Sequence, residues 1–134
     1  MKKRVAIITA LVALVVICTV ALCACGPNAD PDKAVASLKA NNYSAYKDGS
    51  LIPAAMKLFG INGVDCVVSG FYSDNDKSET IYIVYFYTNE QASESYEEVK
   101  SYFEEEKDAD SGWELGQNGK VVWYGTSAAV KAAK

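Results

Sequence analysis

Ile81-Tyr82-Ile83-Val84-Tyr85-Phe86-Tyr87-Thr88 is the stretch on which the fold turns. Its β-branched and aromatic residues suit a pleated strand. Side chains alternate across a strand, so Ile81, Ile83, Tyr85 and Tyr87 point one way and Tyr82, Val84 and Phe86 the other. Both sets are apolar. Such a strand belongs inside a sheet, with something covering each side for much of its length.

Working outward, Val64 to Tyr72 alternates enough to predict a partner strand, and the polar stretch Ser73 to Glu79 fits a hairpin loop between the two. Downstream, Asn89 to Lys107 predicts the longest helix of the domain. Ala92, Tyr96, Val99 and Phe103 form its apolar stripe, while Glu94, Glu97, Glu98 and Glu104 face water. Asn118-Gly119 between the apolar runs of Trp113 to Tyr124 is a strong hairpin signal. A two-residue turn at those positions pairs Leu115 with Val122 and Trp113 with Tyr124 on one face, and leaves Val121 and Trp123 on the other.

Toward the amino terminus, Asp30-Pro31-Asp32 predicts a helix start, with Asp30 as N-cap and Pro31 in the first turn. Ala34, Val35 and Leu38 supply its apolar face and Asn41-Asn42 its end. Tyr43 to Lys47 is a short strand, Asp48-Gly49 a turn, and Leu51 to Phe59 a second helix stopped by Gly60. At the other end, Gly125-Thr126-Ser127 leads into an Ala-rich helix, Ala128 to Lys134, too short to stand unless it docks.

The fold class is therefore α+β: a single small domain with an antiparallel sheet of about four to five strands and helices packed on it. Its middle has the split strand-helix-strand order of ferredoxin-like domains, extended by a C-terminal hairpin and short terminal helices. That arrangement covers one sheet face with two helices and leaves the other open. Tyr82, Val84, Phe86, Val121 and Trp123 are then the candidate interaction face, which must meet the terminal helices, a second copy or a ligand.

The first residues carry a different message. Lys2-Lys3-Arg4 precedes a charge-free apolar run of 18 residues, Val5 to Leu22, which ends in Leu22-Cys23-Ala24-Cys25. A cationic start, an apolar core and a small residue before a cut are what export machinery reads. The run is also long enough to cross a bilayer. Its exit through Ala24-Cys25-Gly26-Pro27, with no Lys or Arg before Lys33, lacks a stop-transfer flank.

The tetrapeptide resembles the lipobox of bacterial lipoproteins, with Cys23 where that family usually has Ala, Ser, Thr or Val. The resemblance implies that residues 1–24 are a signal peptide, cut between Ala24 and Cys25. It also implies that Cys25 carries a diacylglyceryl thioether and palmitate-like chains. Residues 25–30 would be a lipidated tether and residues 31–134 the domain. The location implied is the extracytoplasmic face of the cell membrane, the outer leaflet of the cytoplasmic membrane in a Gram-positive cell. Two acyl chains give stable attachment, each buried methylene contributing about 0.8 kcal/mol.

The mature part also resembles small lipoproteins of unassigned function in Gram-positive bacteria. The likeness rests on the helix ending at Asn42-Tyr43, the strand Ile81 to Tyr87, the Tyr- and Glu-rich helix after it, and Gly119-Lys120-Val121-Val122-Trp123-Tyr124-Gly125-Thr126 with its final helix. It transfers no activity.

Composition excludes several functions. Removing Lys2, Lys3 and Arg4 leaves ten basic residues against seventeen acidic ones, a net charge of minus seven. An acidic domain argues against nucleic acid, and against an anionic membrane surface, as partner. The chain contains no His, so Ser-His-acid and Cys-His nucleophilic machinery are absent, along with the commonest metal ligand. Cys66 is the lone cysteine after Cys25, and its alternation with Val64 and Val68 marks a buried, inert thiol.

Asp74, Asp76, Ser78 and Glu79 resemble a calcium loop, but Glu79 stands where Gly is needed and Tyr85 where the bidentate Glu is needed. No cofactor or metal is expected. Glu114, flanked by aromatic strand residues, is the candidate if an envelope enzyme worked with carboxylates alone; as an edge-strand charge it needs no chemistry. The preferred expectation is a non-enzymatic, lipid-anchored binding module for a protein, peptide or cell-wall component. A non-catalytic subunit of an envelope assembly is the further alternative. Oligomeric state is not written in the residues.

Overall fold

The computed structural model describes residues 26–106 and 112–134. The expected signal segment, the expected cut after Ala24 and the expected lipid acceptor Cys25 lie outside the described residues, as does the expected extension of a helix to Lys107. The elements run α1 (Pro31–Ala40), β1 (Ser44–Asp48), α2 (Leu51–Leu58), β2 (Val64–Asp74), β3 (Lys77–Phe86), α3 (Asn89–Glu94) and α4 (Tyr96–Phe103). A 3-10 turn (Glu104–Glu106), β4 (Trp113–Asn118), β5 (Val121–Thr126) and α5 (Ser127–Ala132) complete the chain. One five-stranded antiparallel sheet of order β1-β2-β3-β5-β4 carries helices on it, an α+β domain.

Local chemistry explains the element ends. Asp30 caps α1 by accepting hydrogen bonds from the amides of Asp32 (2.9 Å) and Lys33 (3.4 Å), with Pro31 in the first turn. Asn42 leaves the helix at φ 68°, the left-handed conformation that Asn tolerates. Thr88 caps α3 through Gln91 N, 3.1 Å away.

The strand order departs from the split arrangement. There β1 and β2 would be parallel with β3 inserted between them; here β1 pairs directly with β2, Asp48 opposite Val67. Gly60 (φ 86°) and Gly63 (φ 80°) are the reason, because two left-handed residues let Phe59–Gly63 fold the chain back beside α2. β2 thus starts at the end of the sheet where β1 finished. The predicted long helix also divides. Ser95, a weak helix former with φ −100° and ψ 6°, separates α3 from α4, yet the stripe Ala92, Val99 and Phe103 stays buried.

The C-terminal hairpin is offset from the expected register. Leu115 faces Tyr124, Trp113 faces Thr126, and the two loop residues are Gly119 and Lys120. Gly119 at φ 59° occupies the first central position, where a type II′ turn requires glycine.

Helices cover both faces of the sheet, the terminal helices α1 and α5 closing the face that the split arrangement alone would leave open. On the first face, α1 and α5 pack over Cys66, Val68, Ile81, Ile83, Tyr85, Val121 and Trp123. On the second, α2, α3 and α4 pack over Val67, Tyr82, Val84, Phe86, Val122 and Tyr124 through Met56, Ala92, Val99 and Phe103. Placing apolar side chains on both sides of β3 and β5 is what the doubly apolar strand requires.

Candidate functional site

The five residues of the expected interaction face do not share a surface. Tyr82, Val84 and Phe86 lie under α2–α4, Val121 and Trp123 under the opposite layer, and all five are buried. The register decides this, because Trp123 sits opposite Ile83 and so joins Ile81 and Tyr85 on the first face. The expected interaction face is thereby corrected to buried residues in two separate layers, with the terminal helices meeting one of them.

The segment expected to be a free tether is also part of the packed domain. Gly26 and Pro27 are buried, and the ring of Trp123 lies so close that a Cβ at residue 26 would stand 2.6 Å from its Cη2. The amide of Asn28 donates to the carbonyl of Ala133 (2.8 Å), and the Tyr85 hydroxyl donates to the carbonyl of Asn28 (2.7 Å). The chain therefore enters the fold on the first face, over β5 and beside the C-terminal end of α5.

Glu114 lies on edge strand β4, where its carboxylate accepts a hydrogen bond from Ser127 Oγ (3.1 Å), an ordinary structural contact. Asp74, at the β2–β3 turn, accepts from the amide of Asn75 (2.7 Å). Among the described residues no group of three or more Cys, Asp or Glu side chains is placed to hold a metal ion.

Cys66 is 5% exposed, and burial, with Asp65 beside it, pushes its thiol from the ordinary 9.0 up to about 11. The neutral thiol is thus favoured by folding. Its contribution is complete below pH 9 and is lost as pH rises toward 11. Thermal melts at pH 8 and pH 11 are expected to differ more for the parent than for Cys66→Ala; equal differences would contradict this.

The exposed apolar surface lies elsewhere, on α2. Leu51 is 79% exposed, Leu58 89% and the following Phe59 73%, whereas Met56 alone of this helix is fully buried. Leu51, Ala54 and Leu58 stand at i, i+3 and i+7, so they form one exposed seam of the kind that pairs with another helix. Asp48 fixes the start of this helix. Its carboxylate accepts from the amides of Ser50 (2.8 Å), Leu51 (2.9 Å) and Ile52 (3.2 Å), which hold its pKa below the usual range.

Phe59 packs edge-on against Tyr102 of α4 at 5.2 Å, anchoring the other end. Beside the seam, Pro53, Ala54, Lys57, Ile61 and the exposed ring of Tyr87 line a shallow groove of about 360 Å³. α2 lies over β1 and β2 on the second face, and Gly26 lies over β5 on the first, so seam and chain entry lie on opposite faces of the sheet.

The signal for the seam is present in the sequence. Apart from Lys57, every residue of Leu51–Leu58 is apolar, and a helix on one sheet face can bury only one side of itself.

Compared with known proteins, the chain matches no family model, no curated protein and no solved structure.

Proposed function

We propose that this protein is a lipid-anchored, extracytoplasmic binding module, held to the membrane through Cys25, whose α2 seam receives an apolar helix of a protein partner. The anchor rests on the sequence Leu22-Cys23-Ala24-Cys25 after its basic and apolar leader. The observation that carries the binding role is the seam itself. Leucines at positions 51 and 58 stand almost fully in solvent on a helix with a single charge, Lys57, although nearly all other large apolar side chains of the domain are at least half buried.

A helical partner fits that spacing, since anchors at i, i+3 and i+7 are how helix-on-helix recognition reads a surface. A membrane is the poorer occupant, because the seam lies on the sheet face opposite to the one over which residues 26–28 are seated. Among the described residues no helix is long and apolar enough to cross a membrane. In this reading the attachment comes from the acyl chains on Cys25.

A photoreactive residue at Ala54 of the full chain, irradiated in intact cells, is expected to give one discrete adduct. Leu58→Asp should abolish that adduct while changing stability by no more than about 0.5 kcal/mol, as for other exposed sites. An adduct that survives Leu58→Asp, or none at all, would overturn the binding role. An adduct of two copies of this chain would replace the heterologous partner by a dimer.

A further inference from the structure

The charges of this acidic domain are sorted by layer. On the outer side of the first-face helices, Lys33 and Lys39 of α1 and Lys131 and Lys134 in and after α5 are exposed, with Asp30 and Asp32 as the acids of that layer. Asp32 is already paired, its Oδ1 lying 2.8 Å from Lys47 Nζ, and Asp30 is engaged as the N-cap of α1. On the second-face helices the balance is reversed: Glu90, Glu94, Glu97, Glu98, Glu104 and Glu105 outnumber Lys57 and Lys100. Glu79 and Glu114 belong to the strands, at the rim of the first face. With those rim acids counted, the first layer is nearly balanced and the second strongly acidic.

The chain enters the fold on the first layer, which carries the exposed Lys33, Lys39, Lys131 and Lys134. Gly26 and Pro27 are seated on Trp123, and Asn28 is bonded to Ala133, the residue before Lys134. Cys25 therefore follows directly from a fitted residue, with no slack between them. From these observations, and resting on the lipid anchor proposed above, we infer that the domain lies flat on the bilayer. Its α1/α5 layer meets anionic lipid headgroups, and its acidic layer, with the α2 seam, turns outward.

An acyl anchor and basic side chains are the two signals that together make peripheral attachment firm. Each Lys near an anionic leaflet adds an attraction that falls off within about a Debye length, near 8 Å at physiological salt. A free tether would let the domain tumble beyond that range. A docked one keeps Lys131 and Lys134 within it. The same field repels the acidic layer, so both charge sets favour one orientation.

The test uses the lipidated full chain in vesicles of phosphatidylglycerol and phosphatidylcholine, treated briefly with a membrane-impermeant amine acetylating reagent and read by peptide mass spectrometry. Lys131 and Lys134 are expected to react about five-fold more slowly than in detergent micelles, while exposed Lys57 reacts at its micelle rate. In pure phosphatidylcholine vesicles the protection should shrink. Retention on the vesicles with Lys131 and Lys134 reacting at the micelle rate, or with Lys57 protected in their place, overturns the orientation alone. Protein left in the supernatant after the vesicles are pelleted overturns the anchor, and the orientation with it.

Discussion

Trp123→Ala is expected to lower stability by about 3–5 kcal/mol, the usual cost of removing a buried large aromatic ring. The ring is 7% exposed and sits among Ile83, Val121 and the Ala-rich α5. Two glycines show how closely it is packed. A Cβ at Gly116 would come within 2.4 Å of the indole and one at Gly26 within 2.6 Å, so backbone lies against the ring from both sides. Truncation therefore leaves a cavity that these segments cannot fill without moving.

A second consequence follows from the same contacts. Gly26-Pro27 loses its seat, and the segment is held only by the hydrogen bonds of Asn28 to Ala133 and Tyr85. Denaturant unfolding, with hydrogen exchange at residues 26–28, checks both. Stability within about 1 kcal/mol of the parent would show that Trp123 is not core, since a buried ring costs more than that to remove.

Phe103→Ala should cost about as much, about 3–5 kcal/mol, but through the other layer. Phe103 is 3% exposed, stacks on Tyr82 at 4.2 Å with the rings 7° from parallel, and meets Tyr102 edge-on at 4.8 Å. It is the residue that ties the end of α4 to β3. Because the sheet separates Phe103 from Trp123, the two losses should add to within about 0.5 kcal/mol. A coupling of several kcal/mol in the double variant would mean that the two clusters form one face.

That separation is also what the residues could not show on their own. Alternation in Ile81–Thr88 tells which side chains share a face of one strand, but matching faces between strands needs the register. Ile83 opposite Trp123, and not Tyr82 opposite Trp123, sends the indole to the side away from Phe103. Asp30-Pro31 was readable because a cap acts within one turn. Gly60 was readable as a stop, but its joint action with Gly63 in reversing the chain was not, since a positive φ at both is a property of the folded backbone.

The docking of Gly26-Pro27 leaves no periodic signal, because two residues without apolar side-chain alternation look like linker until the ring they cover is placed. Net charge is likewise a sum that does not tell how the charges are placed. Minus seven summed over residues 25–134 does not reveal that the acids of α3 and α4 gather on one layer while Lys33, Lys39, Lys131 and Lys134 lie on the other.

The proposed anchoring of the whole domain comes down to the chemistry of one thiol, and the N-terminal peptide of the protein extracted from cells reads it directly. Mass spectrometry of that peptide should find a chain that begins at Cys25 and carries a diacylglyceryl group on its sulfur. A peptide that still runs through Ala24 into an unmodified Cys25 would contradict the account.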